Sequence, residues 1–429
     1  MLCKIKAALI FPYFCPESVS QTPSYHKIQL VASLLSKVYS SMALTGLDRL
    51  EKAWPKELKG LRVGLLVHPA SVNRKLEHTV NVFFKSKKFI LKALFGPQHG
   101  IRGETQDNMV EWKGFRDLQT GLPVYSLYGH ARKPEPEMFK DIDALVIDLQ
   151  DIGSRYYTFI WTMELCMQAC LENRKSVVVL DRPNPLGGLA IEGAVLDMSY
   201  ASFVGQRPLP IRHGMTVGEI ANYLKNKFYP SLNLHIIKMH GWKRNMFFDQ
   251  TKLPWVMPSP NMPTLDTAIV YPGMCLLEGT NLSEGRGTTR PFEIFGAPFI
   301  EPDALIKRLK EFKISGVIFR PIFFRPTFQK HAGSLCGGSQ IHVIDRNKFR
   351  PFKAGVAILK AVRDLYPEHF RWKEPPYEYE TQKMPIDILC GTDRIRKDIA
   401  KGESLRNMAE WWTKESKAFE NTRRQYLIY

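Results

Sequence analysis

Between Glu278 and Phe292 the chain reads Glu-Gly-Thr-Asn-Leu-Ser-Glu-Gly-Arg-Gly-Thr-Thr-Arg-Pro-Phe, which sets two carboxylates, an amide, two guanidiniums and four hydroxyls among three glycines. Glycine lets backbone approach a ligand closely, while Glu, Asn, Arg and Thr supply the donors and acceptors that a hydroxyl-rich or carboxylate-bearing ligand requires. A solvated turn has the same composition. The weight of the segment therefore depends on what accompanies it.

Four further polar loops do. Pro97-Gln98-His99-Gly100-Ile101-Arg102-Gly103-Glu104, the stretch from Asp148 to Tyr157, and Asp181-Arg182-Pro183-Asn184-Pro185 each begin where a short apolar run stops, and Arg212-His213-Gly214 follows later. The apolar runs Leu61–Val67, Phe89–Phe95, Ala144–Leu149 and Ser176–Leu180 read as buried strands, and the segment Tyr157–Asn173 between the last two reads as a helix. This βαβ rhythm predicts an α/β fold with a parallel, doubly wound sheet, and such sheets bind ligands at the carboxyl ends of their strands. Thr216 and Glu219 form a Thr-x-x-Glu capping box, so they are assigned to opening a helix rather than to chemistry.

The proline-rich Trp255–Pro263 loop predicts a crossing into a second, mixed α+β domain with a strand near Gly316–Phe319 and a helix near Ala354–Tyr366. The expected division is an extension over 1–41, a sheet domain over 42–265 and a smaller domain over 266–429 that completes a cleft. The apolar run in the extension is interrupted by Pro12 and Pro16 and is shorter than a membrane span, so no stable membrane insertion is expected. A cytoplasmic location follows, or a periplasmic one if residues 1–41 hold an export signal.

Composition bounds the alternatives. The 429 residues are 44% hydrophobic and 24% charged, as in a globular protein. The net charge of +18 is spread along the chain without a basic arm or a recognisable nucleic-acid motif, so no nucleic-acid partner is expected. Seven scattered cysteines contain no Cys-x-x-Cys pair. Cys166 and Cys170 share a helix face as buried thiols, and no metal is expected. No Gly-x-Gly-x-x-Gly follows a strand, which argues against a dinucleotide enzyme; no cofactor is expected.

Taken in order, Gly-Pro-Gln-His-Gly-Ile-Arg-Gly, Asp-Leu-Gln-Asp-Ile-Gly-Ser-Arg-Tyr-Tyr-Thr, Asp-Arg-Pro-Asn-Pro, the span from Phe203-Val204-Gly205 to Arg212-His213-Gly214-Met215-Thr216, Pro258-Ser259-Pro260-Asn261-Met262-Pro263 and the glycine-rich segment resemble the exo-β-N-acetylmuramidase family. The resemblance spans roughly Leu61 to Trp372. It implies a Rossmann-like domain followed by a smaller one, and release of N-acetylmuramic acid from the non-reducing end of peptidoglycan fragments. The expected substrate is a muropeptide or a peptidoglycan-derived disaccharide.

Glycoside hydrolysis needs a carboxylic acid to protonate the leaving oxygen and a second carboxylate as nucleophile or base. Glu104, Asp151, Glu278 and Glu284 are the candidates, with His99 as an alternative proton donor. Arg102, Arg155 and Arg286 are candidate partners of the lactyl carboxylate. Asn184, Asn261 and Asn281 suit the N-acetyl group and ring hydroxyls, and Gln98, Tyr156, Glu192 and His213 complete the set of expected substrate contacts. Many family members carry Glu where this chain has Gln98, and an amide cannot donate a proton as a carboxylic acid does. A catalytically weak or silent muropeptide-binding protein is the alternative reading.

Overall fold

The computed structural model describes residues 42–103, 105–106 and 109–429. The expectations placed on residues 1–41 and on Glu104 lie outside the described residues.

Among the described residues nine strands precede residue 265: β1 (Arg62–Val67), β2 (Ile90–Gly96), β3 (Phe115–Arg116), β4 (Pro123–Ser126), β5 (Ala144–Asp148), β6 (Ser176–Leu180), β7 (Glu192–Val195), β8 (Pro210–Arg212) and β9 (Leu234–Ile237). Seven of them form one sheet in the order β3-β4-β2-β1-β5-β6-β9, parallel except at the β3 edge. The apolar runs are continuous because both faces are covered. Along β1, Val63, Leu65 and Val67 enter one core and Leu66 the other; along β6, Val178 and Leu180 are separated from Val177 and Val179 in the same way. Helices Gly46–Ala53 and Thr79–Lys85 cover one face through Leu47, Leu50, Val80 and Phe83. Helices Phe159–Glu172 and Val217–Phe228 cover the other through Trp161, Met163, Ile220 and Leu224.

From β1 the chain builds outward through β2 and β4 on one side, then through β5, β6 and β9 on the other. Strand order thus reverses beside β1, and the loops after β2, β4 and β5 converge at the crevice that such a reversal opens. The capping box at Thr216 and Glu219 starts the helix Val217–Phe228 as the sequence predicts.

The second half carries an antiparallel sheet in the order β10-β12-β11, with β10 (Ile294–Ala297), β11 (Val317–Phe324) and β12 (Cys336–Val343). The strand expected at 316–319 continues to Phe324, and the helix expected from Ala354 begins three residues earlier, at Pro351. Proline suits that first helical position because its missing N–H would be unpaired there. Phe370 and Trp412 are buried in the core, and Cys166 and Cys170 are buried free thiols. One continuous core runs from Leu66 to Tyr426 and so crosses residue 265. No helix among the described residues is long and apolar enough to cross a membrane.

Close packing in this half fixes the height of Glu278. Helix Leu265–Met274 leads directly into the short helix Cys275–Gly279 that carries it. The long helix crosses Pro351–Leu365 with Gly273 against Gly355; a Cβ on Gly273 would collide with the carbonyl of Pro351, and one on Gly355 with the carbonyl of Gly273. Gly273→Ala is therefore expected to destabilise the protein by about 1–3 kcal/mol through overpacking, read as a lower denaturant midpoint at unchanged slope.

Candidate active site

A cavity lies at the crevice. From the first half come Gln98 and His99, after β2, and Tyr156, Tyr157 and Thr158, which open the helix after β5. The proline-rich loop between the halves adds Ser259 and Asn261, and from the second half come Glu278, Arg286, Phe292, and a Tyr377-Glu378 pair. All are buried, with polar groups turned inward among aromatic rings.

Arg286 organises one wall. Its Nη2 donates to Glu278 Oε1 at 2.8 Å, and its Nε lies 3.3 Å from Glu284 Oε1. Lys330 Nζ, 2.9 Å from Glu284 Oε2, extends this alternation of charge. Burial pushes the Glu284 carboxyl up, but Lys330 and Arg286 outweigh it and hold it below the usual carboxylate range. The Tyr377 hydroxyl donates to Glu278 Oε2 at 2.7 Å, so both Glu278 oxygens accept hydrogen bonds.

The opposite wall holds a different carboxyl. Tyr377 and Glu380 exchange two backbone hydrogen bonds of 2.9 Å, closing a turn with Glu378 at φ 44° and Tyr379 at φ 68°. Positive φ at both central positions is the geometry that Asn-Gly usually supplies; non-glycine residues held there cost about 1–3 kcal/mol each. Tyr379 is fixed by edge contacts with Tyr128 and Phe203 and by the Arg132 guanidinium 4.0 Å over its ring. The turn points Glu378 inward, where it is 4% exposed. Tyr128 Oη donates to its Oε2 at 2.8 Å, and Gln98 Nε2 lies 3.5 Å from its Oε1. Gln98 is itself oriented by Thr158 Oγ1, which donates to its Oε1 at 2.9 Å. Burial, reinforced by the charge of Glu278, raises the Glu378 carboxyl from 4.5 to about 7, against the opposing pull of Tyr128, Gln98 and Arg286.

Gln98, His99, Tyr156, Asn261, Glu278 and Arg286 thus meet at one cavity, and the other expected residues that the structure describes do not line it. Glu284 stands behind Arg286. Asp151 Oδ2 accepts from Gly153 N at 2.7 Å and lies 3.4 Å from His213 Nε2, a buried pair outside the lining. Asn184 ties Met215 O to Leu186 N, and Asn281 ties His369 O to Arg371 N. Glu192, on β7, accepts from Lys353 N and borders a separate groove with Arg350 and Trp412. Arg102 pairs with Asp117 beside another cleft, with 58% of its side chain exposed.

Arg155 is the plainest correction. Its guanidinium is wholly buried and donates to the carbonyls of Ala194, Leu209 and Leu389, each at 2.8 Å. It joins the β7–β8 ribbon to the helix Pro385–Cys390, and burial brings it down to about 10. Three arginines therefore do not converge on an anion; Arg286 alone lines the cavity, and two carboxylates already share it. Glu378, Tyr128 and Tyr157 were not singled out in the sequence. Glu378 stands in Pro-Pro-Tyr-Glu-Tyr-Glu, where no turn-forming glycine or asparagine announces it.

Among the described residues, no group of three or more His, Cys, Asp or Glu side chains gathers in a way that would hold a metal ion. The site can place a protonated carboxyl and a hydrogen-bonded carboxylate on one ligand, which is the provision for acid-assisted cleavage of an acetal.

Arg155→Met is expected to lower stability by about 3 kcal/mol or more, because three buried carbonyls lose charged donors. KM of the folded variant should stay within about twofold of wild type, since no ligand contact is removed. Denaturant unfolding and steady-state kinetics on the same preparation check both.

Two family models account for most of the chain: exo-β-N-acetylmuramidase NamZ, N-terminal, over residues 63–266, and its C-terminal counterpart over 269–429. The peptidoglycan β-N-acetylmuramidase NamZ of Bacillus subtilis (strain 168) is 45% identical over 414 residues, covering 96% of this chain and 94% of that one. Crystal structures of two DUF1343 family proteins from Bacteroides fragilis NCTC 9343 are also similar. One has a TM-score of 0.82 at 37% identity, covering 91% of this chain and 99% of its own, and the other 0.71 at 28%, covering 90% and 99%. The chain belongs to the exo-β-N-acetylmuramidase NamZ family.

Proposed function

We propose that the protein is an exo-β-N-acetylmuramidase that hydrolyses the β-glycosidic bond of a terminal N-acetylmuramic acid in peptidoglycan fragments, in the service of cell-wall turnover. The observation that carries this reading is the pair Glu278 and Glu378, two carboxyls in one buried cavity with opposite electrostatic surroundings. A cavity bounded by the buried rings of Tyr156, Tyr271 and Phe292 suits a chain terminus better than a mid-chain segment, in keeping with exo action. Family membership and the named activity of the Bacillus subtilis relative support the same substrate class.

Arg286 is largely neutralised by its two carboxylates, so selection for the muramic sugar rests on the neutral donors around it as much as on charge. Ser259, Asn261, Thr158 and Tyr157 supply hydroxyls and an amide suited to the N-acetyl and lactyl groups. Asn261 is held by its Nδ2 on Gln106 O at 2.9 Å, which orients its carbonyl oxygen.

The purified protein should release 4-nitrophenol from the β-N-acetylmuramide at least on the order of tenfold faster than from the β-N-acetylglucosaminide, the discrimination of a site built around one extra polar group. Equal rates would refute muramic selectivity. Calorimetric binding of a muropeptide with no turnover of either glycoside would favour a silent binding protein.

A further inference from the structure

We infer that Glu378 is the proton donor of the reaction, presented by the Tyr377–Glu380 turn, and that Tyr128 and Gln98 are its positioning residues. This rests on the glycosidase reading above and deepens it.

The geometry separates the two carboxyls in the cavity. Glu278 has its oxygens engaged by Arg286 and Tyr377. Among the described residues Glu378 has no salt bridge; Tyr128 holds its Oε2, while its Oε1 has the 3.5 Å approach of the Gln98 amide, at the limit of a hydrogen bond. Oε1 is thus the oxygen best placed to carry a proton toward a ligand. The strained φ angles at Glu378 and Tyr379 put the carboxyl there, and strain of this kind persists only where neighbours over-determine it. Tyr377 on Glu278 and Tyr379 against Tyr128, Phe203 and Arg132 are those neighbours.

The other donors are less suitable. Gln98 is an amide. His99 has its Nδ1 engaged by the carbonyl of Thr105 at 2.7 Å. Asp151 and Glu284 lie outside the cavity lining.

In the bond-breaking step the Glu378 proton passes to the glycosidic oxygen as the C1–O bond breaks. The bonding pair stays on the leaving oxygen, which departs as a sugar hydroxyl, and Glu378 is left as carboxylate. Water supplies the hydroxyl that C1 gains and, through solvent, the proton that restores Glu378. The carboxyl must be protonated at the start, so kcat/KM should fall as pH rises through about 7. The titratable and charged groups facing it are Tyr128, Glu278, Arg286, Tyr377, His99 and, on its own turn, Tyr379 with Arg132 and Glu111.

The test pairs two substrates of different leaving-group demand. A 2,4-dinitrophenyl β-N-acetylmuramide departs without much help from an acid, whereas the disaccharide with a sugar leaving group needs one. Glu378→Gln should lose on the order of 10² or more on the disaccharide, less than about tenfold on the aryl glycoside, and the alkaline fall of the pH profile on the aryl substrate. A folded variant with wild-type turnover of the disaccharide, or with equal losses on both substrates, overturns the assignment. Should that variant not fold, Tyr128→Phe decides the matter. It removes a donor that favours the charged carboxylate, so the alkaline limb should move to higher pH, and an unmoved limb counts against Glu378. Wild-type protein that cleaves neither substrate sinks the glycosidase reading itself and this proposal with it.

Discussion

Arg286 is buried between Glu278 and Glu284, and the site is arranged around that ionic sandwich. A guanidinium taken from water is tolerated only when its charge is matched and its donors are used, and removing one partner of such a pair leaves a buried charge that costs several kcal/mol. The matching is sequential here: Lys330 meets Glu284, Glu284 meets Arg286, Arg286 meets Glu278, and Tyr377 ends the series with a neutral hydrogen bond. The cations of this wall are thereby engaged. Glu378, the next residue of the same turn, has no salt bridge among the described residues, and burial, reinforced by Glu278, raises its carboxyl to about 7. Two residues of the same type thus stand in one cavity in different environments.

Precision in this arrangement comes from close backbone packing. Gly273 against Gly355 locks the helix that leads to Glu278, and Arg155 pins the β7–β8 ribbon to the helix Pro385–Cys390, a few residues beyond the Glu378 turn. From the sheet side, the parallel strands deliver Gln98 and Thr158 to the same point from two different strand ends, and their mutual hydrogen bond fixes the amide that faces Glu378. The scaffold is continuous because one core spans both halves of the chain.

Much of this was legible in the sequence, for identifiable reasons. Strands buried on both faces write themselves as unbroken apolar runs, so β1, β2, β5 and β6 could be read within a residue or two of their ends. The loops at their carboxyl ends and the glycine-rich segment pointed to the edge of the sheet where the cavity lies, and Gln98, His99, Tyr156, Asn261, Glu278 and Arg286 line it together. Side-chain direction was not legible. Arg155 looks like a ligand-binding arginine in its motif, but three carbonyls brought by tertiary structure from positions 194, 209 and 389 claim it. Arg102 is drawn away by Asp117 in a similar manner. Glu378 was hidden because its turn obeys no local rule: a glutamate and a tyrosine occupy positions that favour glycine and asparagine, and only long-range contacts hold them there. Local rules fail where function imposes a conformation on the chain.

Burial holds the Glu378 carboxyl of this cavity protonated up to a pH of about 7. Infrared difference spectroscopy across a pH titration reads it directly, without substrate. A protonated-carboxyl carbonyl band should disappear with a midpoint of about 7 in the wild-type protein and be missing in Glu378→Gln. A spectrum with no protonated carboxyl left at neutral pH, or a band that survives the substitution, would contradict it.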